Sequence, residues 1–141
     1  MKVVVIDDDP TGSQTVHSCP LLLRWDVDTL RWGLRHASPL LFLLADTRAL
    51  TPTAAAERNR GIAAALDQAL QREGLARDQV LLVSRGDSTL RGHGVLEPEV
   101  LQAAFGPFDA TFHVPAFLEG GRTTVNGVHL LHGEPVHTTP F

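Results

Sequence analysis

Four short apolar runs set the frame of this chain: residues 3–6 (VVVI), 40–44 (LLFLL), 80–83 (VLLV) and 110–114 (ATFHV). Each is continuous rather than alternating, the pattern of a strand covered on both faces. Between them the spacing turns helical. Residues 26–37 place Leu30 and Leu34 four apart. Thr51 is a natural N-cap and Pro52 a natural first helical residue. Ile62, Leu66, Ala69 and Leu70 then share one helical face, and Gly74 supplies a stop. Residues 98–105 read as a further helix, with Val100, Leu101, Ala104 and Phe105 apolar. Leu21-Leu22-Leu23 suits either an extra strand or part of a helix. This alternation predicts an α/β fold, a mostly parallel sheet with helices on both faces. After Pro115 the chain turns to Pro, Gly, Thr and His, and NGVHLLHGEPV reads as a hairpin or irregular strand pair.

At 141 residues the chain fits one domain. Hydrophobic residues make up 43%, enough for a core. A net charge of −4 gives no reason to expect nucleic acid or an acidic membrane surface as partner. Cys19 is the single cysteine, which excludes an internal disulfide and suits a reducing compartment. The leading MKVVVI is too short for a signal peptide. No apolar run approaches the roughly 20 residues that span a bilayer, and a cytoplasmic protein is expected. His129 and His132 are three apart and face opposite sides on a strand, so no metal site is predicted. Trp25 and Trp32 read as core and rim packing.

Polar residues stand directly behind the apolar runs. After Ile6 comes Asp7-Asp8-Asp9-Pro10-Thr11-Gly12, and after Leu44 comes Ala45-Asp46-Thr47-Arg48. After Val83 comes SRGDSTLRG, residues 84–92, and soon after Val114 comes Glu119-Gly120-Gly121-Arg122-Thr123. Each has a plainer reading. An Asp-rich turn is often only a cap, and Arg85 with Asp87 could be a surface pair worth about 0–1 kcal/mol. Arg48 could cover the core with its stem. Together they matter more, because ligands of open parallel sheets bind beyond the carboxyl ends of the strands. Arginines there meet an anion and glycines let backbone amides approach it.

The stretch VVVIDDDP resembles the start of a response-regulator receiver domain, with Asp46 as phospho-acceptor, but that family needs a late lysine and the only lysine here is Lys2. It also resembles the Asp-x-Asp-x-Thr signature of haloacid-dehalogenase phosphatases, with Asp7 as nucleophile and Asp9 as acid/base, without the downstream lysine or acidic pair. Neither accounts for residues 84–94 or 115–127. A third resemblance does. The chain is similar to the N-terminal domain of the four-carbon acid sugar kinase family in five ordered motifs. These are Asp8-Asp9-Pro10-Thr11-Gly12, Asp46-Thr47-Arg48-Ala49-Leu50, Asp87-Ser88-Thr89-Leu90-Arg91-Gly92, residues 115–124 (PAFLEGGRTT) and Asn126-Gly127-Val128-His129.

That resemblance implies a helix running on through His17 after the first turn. It implies that residues 1–141 are part of an N-terminal sugar-acid-binding domain, whose parent kinase phosphorylates tetronate-type or 3-oxo-tetronate-type substrates with ATP and magnesium. A C-terminal nucleotide-binding domain, in cis or as a separate chain, would hold the nucleotide, and this chain alone would be inactive. The implied substrate-binding set is Asp8, Asp9, Thr11, Gly12, Arg48, Arg85, Asp87, Ser88, Arg91 and Gly92, with Arg91 and Arg85 favoured for the substrate carboxylate. Asp9 is the expected proton acceptor. Gly120, Gly121 and Arg122 would line the cleft toward ATP. Beside the kinase reading stand the phosphatase reading and that of a binding module without chemistry. An apolar surface left for the rest of the domain leaves room for a homo-oligomer.

Overall fold

The computed structural model describes residues 1–14 and 16–141. Its core is a four-stranded parallel sheet of β1 (Lys2–Asp7), β2 (Leu21–Leu22), β3 (Leu40–Leu44) and β4 (Val80–Arg85), in the order β2-β3-β1-β4. The undecided Leu21-Leu22 is thus a short edge strand. Helices α1 (Val27–Arg35), α2 (Pro52–Glu73) and α3 (Leu96–Phe105) come after β2, β3 and β4 respectively. The ends of α1 and α2 are where their caps put them. The Asp26 carboxylate accepts the Thr29 amide at 3.0 Å, Thr51 Oγ1 accepts the Ala54 amide at 3.3 Å, and Gly74 ends α2 at φ +65°.

The α/β class is as read from the sequence. The three helices gather in one layer, with α2 packed between α1 and α3. Val4, Ile6, Leu22, Leu41 and Leu43 of the sheet meet Leu30, Leu34, Ile62, Leu66, Leu101 and Phe105 in a single buried cluster. Helices were expected on both faces. The opposite face is less covered, with Leu81 50% exposed.

The fourth apolar run departs from expectation. Residues 110–114 form no strand, and Phe112 is 87% exposed. β4 is therefore the sheet edge. An apolar run alone does not make a strand, which also needs a strand to pair with and a surface to be buried against; residues 110–114 have neither here. The helix expected through His17 is a single 3-10 turn, Pro10–Ser13. Val16 and His17 belong to no helix, and Thr15 lies outside the described residues. The C-terminal hairpin does form, as an antiparallel meander of β5 (Arg122–Val125), β6 (Val128–Leu131) and β7 (Glu134–Pro135). Its first turn, Asn126-Gly127, has both residues at positive φ, +51° and +78°, as the tight hairpin turn requires.

Register then decides where the polar loops fall. Asp7 pairs with both Leu44 and Arg85, so β1, β3 and β4 end level. The connection leaving β1 passes over β3 to β2, whereas the connection leaving β3 passes over β1 to β4. Connections thus leave the adjacent strands β1 and β3 in opposite directions, and ligands of such sheets bind beyond the carboxyl ends of strands so related. Two substitutions test this packing. Leu66→Ala, at a fully buried position, is expected to cost about 2–5 kcal/mol in urea unfolding. Phe112→Ser is expected to stay within about 0.5 kcal/mol of the parent; a loss of core size at Phe112 would restore the buried strand.

Candidate functional site

β1 ends in two carboxylates that water does not reach, Asp7 at 0% and Asp8 at 1% exposure. A buried charge needs a partner, and the neighbouring loops supply one for each. Arg48, on the turn after β3, grips Asp8 with a fork, Nε donating to Oδ2 at 3.1 Å and Nη2 to Oδ1 at 2.8 Å. Its Nη1 also lies 3.3 Å from Asp9 Oδ2. Arg85, the last residue of β4, donates from Nη1 to Asp7 Oδ1 at 3.3 Å. Burial pushes the Asp7 pKa up, against the pull of Arg85. Its second oxygen, Oδ2, is buried without a hydrogen-bond partner among the described residues.

Gly12 lies directly over this pair. A Cβ there would collide with the Arg85 guanidinium and with both Asp7 oxygens. Gly92, at φ +85°, comes close to the second pair, since an added Cβ would sit 3.2 Å from Asp8 Oδ2 and 3.3 Å from Arg48 Cγ. The glycines after β1 and within residues 84–92 are therefore spacing devices, letting backbone close over the two ion pairs.

Asp9 is half-buried and accepts both the amide and the hydroxyl of Thr11. The hydroxyl bond leads the effects that lower its pKa. Asp87 is the hub of its own loop. Arg91 Nε donates to its Oδ2 at 2.5 Å, the Arg91 amide reaches the same oxygen at 3.4 Å, and the Thr89 hydroxyl donates there too. Burial would raise the Asp87 pKa, but the Arg91 and Thr89 hydrogen bonds outweigh it and hold the carboxylate ionised. Arg91 itself remains exposed. Both arginines favoured for a substrate carboxylate thus already hold an internal acid, and each can offer a ligand only its unengaged N–H groups.

The C-terminal meander joins this edge at two points. His129, buried on β6, donates from Nε2 to the Ser88 carbonyl at 2.6 Å, while its Nδ1 faces Thr124 Oγ1 at 3.0 Å. Ser88 thus enters the arrangement through its carbonyl. Arg122 stacks between Phe117 and Phe141, at 5.4 and 5.7 Å from the ring centres, and Arg91 lies 5.5 Å from the same Phe141 ring. Gly120 lies against Arg122 Nη1 and Phe117, and Gly121 bends at φ +71°. Of the residues expected at the site, Asp8, Asp9, Thr11, Gly12, Arg48, Arg85, Asp87, Arg91 and Gly92 come together directly. Arg122 is linked to them through Phe141.

Other members had no obvious mark in the sequence. Glu97, in the first turn of α3, is 4% exposed and accepts from the Thr47 hydroxyl and from Asn59 Nδ2. Arg58 Nη1 donates to the Ala45 and Asp46 carbonyls at 2.9 and 2.8 Å. One signal was present: Asn59 stands three residues before Ile62 on the apolar face of α2, where a polar side chain needs a buried partner. Among the described residues no group of His, Cys, Asp and Glu is arranged to hold a metal ion. No helix there is long and apolar enough to cross a membrane.

The sequence profile of a family described as the sugar-binding N-terminal domain matches residues 3–141. A D-erythronate kinase of Heliobacterium modesticaldum is 30% identical over 146 aligned residues, covering 98% of this chain and 31% of that protein. The chain thus spans about a third of the length of the relative it matches.

Burial is the main cause of a raised Glu97 pKa, with the Asp8 charge adding to it, against the opposing pull of Thr47, Asn59 and His93. Between its ordinary value of 4.5 and the raised one, the folded chain keeps a proton that the unfolded chain has released. This acid's contribution therefore lowers stability as pH rises through that window. Urea unfolding of Glu97→Gln, compared with the parent at several pH values from acid to neutral, is expected to show the variant gaining relative stability as pH rises. A pH-independent difference would mean that folding leaves the Glu97 pKa at its ordinary value.

Proposed function

Because the chain belongs to the family of sugar-binding N-terminal domains, we propose that it holds a small four-carbon sugar acid at the carboxyl edge of its sheet, as the substrate-binding part of an ATP-dependent sugar-acid kinase. One observation carries this reading: Arg48, Arg85 and Arg91 converge with Asp8, Asp9 and Asp87 on a single edge, beyond the adjacent strands β1 and β3 whose connections leave in opposite directions. Guanidinium groups suit a carboxylate and ionised acids suit hydroxyls, which are the two kinds of group a sugar acid presents. Arg91 is the main carboxylate partner, being the most exposed of the three, with Arg85 beside it. Asp87 and Asp9 accept from substrate hydroxyls. Asp9, ionised and half-buried, takes the proton of the hydroxyl that gains the phosphoryl group.

ATP, with magnesium, supplies that phosphoryl group, and both are held mainly on a C-terminal domain in cis or on a separate chain. Phosphoryl transfer depends on positioning and charge neutralisation. Gly120, Gly121 and Arg122 face the nucleotide side, where Arg122 has two aromatic neighbours and a buried Nε without a partner among the described residues. The acidic run after β1 is a poor magnesium cradle by itself, since Asp7 and Asp8 are already bound by arginine. The phosphatase alternative is disfavoured because its nucleophile, Asp7, lies sealed beneath Gly12. The reaction chemistry fits a cytoplasmic, ATP-rich compartment.

Arg91→Ala is expected to weaken sugar-acid binding at least about tenfold by calorimetry, as for loss of a charge-assisted hydrogen bond. Arg91→Lys is expected to recover only part of that, because the fork is lost. Undiminished affinity in Arg91→Ala would reject it as the carboxylate clamp. ADP release, measured with a panel of tetronates and 3-oxo-tetronates, tests the kinase itself. Turnover is expected only when the nucleotide domain is joined to this chain or added to it. Substrate-dependent ADP release by residues 1–141 alone would place a nucleotide site within them.

A further inference from the structure

Three segments that carry or support the site meet beneath it at one buried oxygen. Glu97 Oε1 accepts from the Thr47 hydroxyl and, at 3.3 Å, from Asn59 Nδ2, which also donates to the Ala55 carbonyl at 3.1 Å. Thr47 and Asn59 are fully buried and Glu97 nearly so. One carboxyl oxygen therefore ties the turn after β3 to α2 and to α3. The same alignment is reinforced nearby, where His93 Nε2 donates to the Leu50 carbonyl at 2.9 Å.

The turn so held needs holding. Asp46 sits at φ +51°, a left-handed conformation uncommon outside glycine. The Ala45 and Asp46 amides donate to the Asp7 carbonyl, and the Thr47 and Arg48 amides to the Asp8 carbonyl at 2.9 and 3.1 Å. Arg58 takes up the Ala45 and Asp46 carbonyls. Glu97 takes up the Thr47 hydroxyl. Arg48 is the next residue, and its two-point grip on Asp8 tolerates little displacement of the turn.

We propose that Glu97 is a positioning residue of the sugar-acid site: through Thr47 it fixes the turn at residues 45–48, and with it the Arg48–Asp8 pair that the substrate meets. The proposal rests on the sugar-acid reading of this edge. Glu97 touches no substrate. It sits on the helix that begins just after Asp87–Gly92, so the same residue also aligns that loop with the turn carrying Arg48.

The test uses Thr47→Val, a near-isosteric change, with Glu97→Ala and Glu97→Gln, read in two ways. Amide hydrogen exchange on this chain is expected to be about tenfold faster at residues 47 and 48 in Thr47→Val and Glu97→Ala, and unchanged in β1 and α1. In the chain assembled with its nucleotide domain, the same two variants are expected to raise KM for the sugar acid about tenfold, with KM for ATP and kcat within about twofold. Glu97→Gln keeps the accepting oxygen and is expected to recover most of both effects. The double variant Thr47→Val/Glu97→Ala is expected to be no worse than Glu97→Ala alone, since Glu97→Ala already removes the Thr47 bond along with that of Asn59. Parent-like exchange at residues 47 and 48 in a folded Thr47→Val would overturn the proposal. So would faster exchange with an unchanged KM for the sugar acid, or additive effects in the double variant. A parent protein that phosphorylates no sugar acid would remove the functional reading instead, and the exchange rates alone would then decide whether Glu97 holds the turn.

Discussion

Two acids closed off from water at the end of the central strand, Asp7 and Asp8, are the constraint to which this edge of the molecule answers. An ionised carboxylate cannot remain in that position alone. Each is met by an arginine from a different neighbouring strand end, Asp8 by Arg48 and Asp7 by Arg85. The pairs therefore reinforce the backbone hydrogen bonds that tie the turn after β3 and the end of β4 to the end of β1. They also set the spacing above them, because only glycine fits where Gly12 and Gly92 pass over the charges. Removing either arginine would leave its acid buried and uncompensated, which costs more than the pair itself contributes.

Outward from those pairs the edge becomes wetter and its chemistry more available. Asp9 and Asp87 are half-buried and both are held ionised, by Thr11 in one case and by Arg91 with Thr89 in the other. Arg91 presents the exposed face. Inward, the order reverses: burial favours the neutral form of Asp7 and of Glu97. Acids of one chemical type thus serve as structural ties, as acceptors of loop hydroxyls and as a buried anchor, according to depth and to the donors around them. The meander at the C-terminus adds a rim through His129 on the Ser88 carbonyl and through the Phe141 ring shared by Arg91 and Arg122.

Much of this was legible in the chain itself where the signal is local. The apolar runs at residues 40–44 and 80–83 became β3 and β4, and Thr51, Pro52 and Gly74 bounded α2. Asn126-Gly127 made the tight turn of the meander. The clustering of Asp8, Asp9, Arg48, Arg85, Asp87 and Arg91 came from a rule about strand ends, and Arg122, expected with them, joins only through Phe141. The run at residues 110–114 failed because its apolar character reports only a tendency to be buried, and burial needs a second surface. Glu97 was invisible for the opposite reason. An acid in the first turn of a helix is ordinary on the surface, where the helix dipole favours it, and nothing local shows that Thr47 and Asn59 close around it.

The sequence by itself determined β1, β3 and β4, the helices α1 to α3, the caps of α2 and which residue types stand at each strand end, because these depend on neighbours a few positions apart. It also sufficed to place the chain in the family of sugar-binding N-terminal domains. Tertiary structure alone decided the pairing: which arginine answers which aspartate, that the helices share one face, that His129 reaches Ser88 and that Glu97 lies beneath Thr47. Those choices join residues far apart along the chain. Such contacts are selected by strand register and by the cost of leaving a buried charge or hydroxyl unpaired, quantities that exist only once the sheet has formed.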